Sequence, residues 1–203
     1  MHMTRNMIGI VALVLLCGAL FSADGQTSKA KSNGGKNSAT SAPQDYCTST
    51  GGAVETRVPV YGTNNSQQDW LKLAGRQDFC RYTAADDSNI HLNLETLFTP
   101  LPTLAALAYY AETAWNGQGE GNPASLYCTQ LGGSDLFGGI NAAGGGWVEL
   151  KTVDEVLEAC IFPDNSTIDS WGLFYHSDGI IRGIDLSTVL QYPNPYPKAN
   201  QIK

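Results

Sequence analysis

The chain is short of several things that would fix a chemistry at once. Histidine occurs three times in 203 residues, at His2, His91 and His176. No two cysteines are spaced as C-x-x-C, and no histidine sits at ligand spacing from a cysteine, which argues against a metal site. No GKS or GKT follows the glycine-rich run Gly132–Gly146, so it reads as a flexible loop rather than a phosphate cradle, and no cofactor is expected. A G-x-S-x-G elbow is also missing. Basic residues are few: from Gln44 onward eight oppose eighteen acids, a formal charge of about −10. Such a surface repels phosphate backbones and anionic lipid heads, so no nucleic-acid partner is expected. Beyond Phe21 no apolar run approaches membrane-spanning length, and no stable membrane insertion is expected once the leader is removed.

The apolar run Met7–Phe21, with Arg5 before it and Ser-Ala-Asp-Gly after it, reads as a cleaved secretory signal over residues 1–25. The destination is then secreted or periplasmic. Cys17 follows Leu16, where a lipidated cysteine would follow Gly, Ala or Ser, so a lipoprotein is the less favoured reading. Residues 26–43 hold no large apolar side chain and read as a disordered linker, with Lys29, Lys31 and Lys36 solvated.

Four cysteines remain: Cys47, Cys80, Cys128 and Cys160. An even number in an exported chain implies disulfides, with three connectivities open. An internal repeat chooses among them. Tyr46-Cys47-Thr48-x-x-Gly51-Gly52 returns as Tyr127-Cys128-Thr129-x-x-Gly132-Gly133. Each second cysteine is followed two places on by an aromatic, Tyr82 or Phe162, and then by a turn-like triplet, Asp86-Asp87-Ser88 or Asp164-Asn165-Ser166. Two copies of one unit should each close their own bridge, Cys47 with Cys80 and Cys128 with Cys160. Each bridge should contribute on the order of 3 kcal/mol.

Asn122 as cap, Pro123 in the first turn and Gly132 at the end predict a short helix. Its counterpart runs from Gln44 to Thr50. Strands are expected at 53–62, around Ile90, Leu92 and Leu94, at 146–150 and at 158–162. The last of these is followed by the turn "PDNS" and then by "IDSWGLFYH", in which Trp171 and Phe174 follow helical or strand spacing, and "TVDEVLEA" between the last two strands could continue as strand or form a turn of helix. Pro102–Trp115 is the clearest helix, with Leu104, Leu107, Ala108 and Ala111 on one face. The fold class is α+β: two small disulfide-tied units, each a short helix plus antiparallel strands, packed together with a connecting helix at about 102–115. The units cover 44–116 and 117–203. At that size a core alone is marginal, and packing together would help both.

The pattern N-P-A-S-L-Y-C, a glycine-rich stretch, then C-I-F-P-D-N-S-T-I-D-S-W resembles a family of small exported bacterial domains of unknown function that carries a hemolysin label. The resemblance covers Asn122 to about Tyr175 well and Asp45 to about Phe98 more weakly. Where the family has its third cysteine this chain has Ile168, and the fourth has no counterpart near Asp178. Losing both together fits those two having been partners, which supports the pairing above. The resemblance implies export and fold and carries no established activity. The chain shows no amphipathic pore-forming segment.

Candidate residues remain few. His91, in the alternating run "NIHLNLETLF", reads as a surface strand position. His176 beside Ser177 and Asp178 tempts a hydrolase reading, but neighbours on a turn point in different directions, and a turn is preferred. Asp86-Asp87 and Asp154-Glu155 read as solvated acids rather than a glycosidase pair. "DDSN" and "DNST" lack the ligand alternation and terminal glutamate of a calcium loop. Asn64 and Asn165 are glycosylation acceptors in a eukaryotic host. Trp70, Trp115, Trp147, Trp171, Tyr109, Tyr110, Phe174 and Tyr175 could supply a carbohydrate- or protein-binding face, although most, Trp171 and Phe174 included, follow core spacing. Trp171, Tyr175 and His176 are the binding-surface candidates. The sequence thus points to an exported, non-enzymatic module with a protein or glycan partner. The alternatives are a hydrolase using His176 with nearby acids, and a protease inhibitor presenting "FPDNST".

Overall fold

The structure is a computed structural model and describes residues 41–135, 143–150 and 156–196. The segment expected to be a signal, most of the expected linker and the Asp154-Glu155 pair lie outside the described residues.

Helix α1 (Ala42–Ser49) begins two residues before the expected Gln44, because the Ser41 backbone N–H donates to Gln44 Oε1 at 3.0 Å and Pro43 occupies the first turn. The last residues assigned to the linker are therefore helix. Asn122 caps its counterpart α4 (Pro123–Gln130) by accepting from the Ala124 N–H at 2.9 Å. Both helices end alike. Gly51 and Gly132 adopt φ of 90° and 84°, and the Gly52 and Gly133 N–H groups donate back to the Cys47 and Cys128 carbonyls at 2.9 and 3.0 Å.

The disulfides are Cys47–Cys80 and Cys128–Cys160, with Cα separations of 5.8 and 5.5 Å, as the repeat predicts. A Cβ on Gly52 would stand 2.3 Å from Cys80 Sγ and 2.9 Å from Cys47 Sγ. On Gly133 it would stand 2.3 Å from Cys160 Sγ and 2.9 Å from Cys128 Sγ. The second glycine of each pair is thus the floor on which its disulfide lies, which is why the glycines recur with the cysteines.

Strands β1 (Ala53–Tyr61), β2 (Leu71–Lys72), β3 (Gln77–Thr83), β4 (Asn89–Asn93), β5 (Gly145–Glu149), β6 (Ala159–Ile161) and β7 (Thr167–Asp169) form one antiparallel sheet in the order β2-β1-β3-β4-β7-β6, with β5 also on β1. Arg57 pairs with Gln77 of β3 and Glu149 of β5, so these strands flank β1 on opposite edges. The two copies meet along β1 and β5 and again where Leu92 of β4 pairs with Ile168 of β7. Trp147 and Leu157 exchange two backbone hydrogen bonds of 2.8 Å, tying the chain just before β6 back to β5. The ladder β5-β1-β3-β4-β7-β6 therefore closes into a ring.

Period two then separates two environments. Cys80, Leu92, Ile168 and Cys160 face outward into the main core, with Leu97, Tyr109, Tyr127 and Leu173 from the helices. Phe79, Leu157 and Ala159 pack with Trp147 on the inner face. The β3–β4 and β6–β7 hairpins turn the same way. Asp87 and Asn165 take φ of 64° and 63°, while Asp86 and Asp164 Oδ1 accept from the Ser88 and Ser166 N–H at 3.1 and 3.0 Å. Each hairpin runs directly into a helix. Asn93 caps α2 (Leu94–Phe98) and Asp169 caps α5 (Ser170–Ser177), each through a side-chain oxygen on a backbone N–H at 3.2 or 2.9 Å.

Three expectations are corrected. The connecting helix α3 is Leu104–Ala111, shorter than 102–115: Thr103 caps it, and Glu112 ends it in the left-handed region at φ 45°. His176 is not on a turn but in the last turn of α5. His91 is not at the surface but fully buried, because β4 is paired on both edges and covered on both faces.

Candidate functional site

The candidate site surrounds α5. Asp169 starts this helix, and its spacing then sorts the side chains: Trp171 and Tyr175, four apart, share one side, Gly172 and Leu173 are buried, and His176 turns toward α3.

On the α3 side His176 is 8% exposed and stacks on Tyr109, with ring centroids 3.8 Å apart and planes 3° from parallel. Its Nε2 lies 3.7 Å from Glu112 Oε1, and a cavity of about 290 Å³ beside it is also lined by Asp185, Ser187 and Asn194. The Tyr109 hydroxyl donates to Asp185 Oδ1 at 3.4 Å and accepts from the Leu186 N–H at 3.1 Å. Burial is the main cause that raises this hydroxyl's pKa. For Asp185 burial acts upward too, but hydrogen bonds from Ser187 and the charge of His176 outweigh it and hold the carboxyl below its usual range. Glu112 at the rim is a non-glycine residue in left-handed backbone, a strain that costs about 1 kcal/mol or more.

On the other side Glu158, Asp169, Trp171, Tyr175 and Arg182 line a cavity of about 240 Å³. Glu158 Oε2 accepts from Asn122 Nδ2 at 2.6 Å. Burial first, then the Asp135 charge, raises the Glu158 pKa. The Trp171 and Tyr175 rings lie 5.8 Å apart, tilted by 31°, and the Arg182 guanidinium sits 5.1 Å above the Tyr175 ring. A third cavity of about 320 Å³ contains Asp86, Asp87, Tyr175, Ile181 and Arg182. It shares Tyr175 and Arg182 with the second and Ile181 with the first, so the three follow one another as a groove around the end of α5.

Behind Asp169 lies a charged network inside the ring. Asp169 Oδ2 is 3.6 Å from His91 Nδ1, and His91 Nε2 is 3.2 Å from Arg57 Nη2 and 3.4 Å from Glu55 Oε2. Glu55 also holds Arg57 at 2.7 Å and Arg81 at 2.9 Å. Burial opposes ionisation of Glu55, but His91 and the Arg57 guanidinium beside it prevail and bring its carboxyl down to about 2. Burial likewise opposes a charged His91, and the carboxylates of Asp169 and Glu55 beside it outweigh this, raising the imidazole. Reading β1 as an alternating strand leaves this network unremarked. Its signal was Glu55 and Arg57 two apart on one face of that strand.

Of the binding-surface candidates, Trp171 and Tyr175 are half-buried on the groove wall, and His176 is buried in the adjoining cleft. Phe174 packs edge-on to Trp115 and Tyr127, Tyr109 and Tyr110 are buried, Trp147 meets Phe79 inside the ring, and Trp70 covers Val58 and Val60. Asn64 and Asn165 are exposed. Among the described residues no three or more His, Cys, Asp or Glu side chains are grouped to hold a metal ion, and no helix is long and apolar enough to cross a membrane. No family model, no curated protein and no solved structure matches the chain.

Proposed function

We propose that the protein is an exported binding module, secreted or periplasmic, built from two divergent copies of a unit resembling the hemolysin-labelled domains and engaging an envelope or extracellular protein or glycan without catalysing a reaction. The observation that carries this reading is the groove around α5, where Trp171, Tyr175, Arg182 and Ile181 line adjoining cavities and Ile180 and Ile181 stand 51% and 44% exposed. Aromatic and arginine side chains on a concave surface are the composition of binding hot spots. Two disulfides support an oxidising compartment, and the signal reading of residues 1–25 supplies the route. The test is capture from envelope and culture extracts on immobilised mature protein, comparing wild type with Tyr175→Ala/Ile181→Asp. A ligand retained by the wild type and lost by the variant supports the reading. Equal capture by both refutes it.

A hydrolase using His176 is the second reading, favoured by Glu112, Asp185 and Ser187 lining its cleft. Against it, the imidazole is held face to face on Tyr109. Labelling by a serine-reactive fluorophosphonate, lost in His176→Ala, would establish it over the binding module. The inhibitor reading is less favoured, because "FPDNST" folds as a tight hairpin: the Asn165 N–H donates to the Phe162 carbonyl at 2.8 Å, and Asp164 Oδ2 accepts from the Leu104 N–H at 2.8 Å.

A further inference from the structure

We infer that the Glu158–Trp171 end of the groove is a subsite for one neutral pyranose ring of a glycan. This rests on the binding reading above and names its ligand class.

Size comes first. About 240 Å³ is below the roughly 300–1,000 Å³ of pockets for drug-sized ligands and suits a single ring. Shape comes next: Trp171 and Tyr175 form a tilted aromatic wall, and Trp171 is held by an edge contact to Phe174 with ring centroids 5.9 Å apart. An aromatic face offers dispersion and a weakly negative surface to the C–H face of a sugar ring.

Charge then separates the ligand classes. A phosphate or sulfate would meet the carboxylates of Glu158 and Asp169, while an ammonium or guanidinium would meet Arg182. Sugar hydroxyls both donate and accept. Two carboxylate acceptors and a guanidinium donor around one aromatic wall match them without burying an unpaired ligand charge. The polar groups are also held in place before any ligand arrives: Glu158 by Asn122, Asp169 by the Gly172 N–H at 2.9 Å with His91 behind it, and Arg182 by the Asn89 carbonyl at 3.3 Å and the Tyr175 ring. Little ordering cost then falls on binding. Beyond Tyr175 the groove continues past Asp86 and Ile181, leaving room for further residues of the same polymer.

The test is titration of the mature protein with neutral tetrasaccharides (chitotetraose, cellotetraose, maltotetraose and mannotetraose), followed by tryptophan fluorescence and calorimetry, with a sulfated tetrasaccharide and trilysine as charged comparators. Saturable binding of a neutral tetramer is expected, weakened at least about tenfold by Trp171→Ala and by Glu158→Gln and unchanged by Trp70→Phe. If Trp171→Ala does not fold, Trp171→Phe and Glu158→Gln carry the comparison. Binding of no neutral tetramer, preference for a charged comparator, or indifference to these variants overturns the assignment. If no tetramer binds and the Tyr175/Ile181 variant still loses a captured protein, the binding reading stands and only the pyranose subsite falls. If capture also fails to depend on the groove, both fall.

Discussion

Leu92 of the first copy and Ile168 of the second face each other across one antiparallel ladder, at the only paired position between β4 and β7. Leu92 also opposes Cys80, and Ile168 opposes Cys160, so a single row of the sheet reads Cys80, Leu92, Ile168, Cys160. The disulfide of each copy thus sits one strand from this junction, and the two units share a core rather than merely touching.

Leu92 and Ile168 are 0% and 1% exposed, so Leu92→Ala or Ile168→Ala should cost about 2–5 kcal/mol by removing buried methyl groups whose space the main core cannot refill. Because the row is common to both copies, thermal unfolding should remain one transition at a lower midpoint. Calorimetry showing two resolved transitions, one of them at the wild-type midpoint, would contradict a shared core.

The two glycines of each Gly-Gly pair have different duties and should respond differently. At Gly52 and Gly133 an alanine Cβ would press on a locked disulfide sulfur, so Gly133→Ala should cost about 1–3 kcal/mol or prevent the Cys128–Cys160 bond from closing. At Gly132, with φ of 84° and open space around it, alanine should cost only about 1 kcal/mol of backbone strain. Urea unfolding of the two variants, with thiol titration, separates the cases.

The charged interior predicts a pH optimum. His91, facing Glu55, Arg57 and Asp169, is raised above its usual 6.5, so its contribution is fully present below that value and lost as pH rises through the folded pKa. Glu55 is lowered from 4.5 to about 2, so its contribution is present above 4.5 and lost as pH falls toward 2. Glu158, raised by burial, adds a cost as pH climbs past 4.5. Melting temperature should therefore peak between about pH 4.5 and 6.5, with the alkaline decline flattened in His91→Gln. A midpoint still rising between pH 7 and 8 would show that these groups do not govern stability.

The local signals in the sequence carried far. The Tyr-Cys-Thr and Gly-Gly repeat marked α1, α4, their C-terminal ends and both disulfides, and the Asp-x-Ser triplets marked two hairpins that turn alike, because each is set by residues within a few positions of one another. Alternation found β1 and β4. What stayed hidden depends on distant partners. His91 reads as a surface residue until β7 is known to pair with β4 and the Trp147–Leu157 bonds to close the ring over the inner face. "SWGLFYH" suits helix or strand until Asp169 is seen to cap it. Trp171 and Tyr175 were legible as aromatics that could bind, but Glu158 and Arg182, which complete their cavity, come from segments with no common motif.

The α5 side of the second copy is the proposed binding face. A photo-crosslinking residue placed at Tyr175 or Ile181 of the mature protein, and at Glu95 on the equivalent helix α2 of the first copy, tests it when each variant is irradiated in envelope extract. Adducts at 175 and 181 and none at 95 are the predicted result. Adducts at 95 alone, or at all three positions alike, would contradict it.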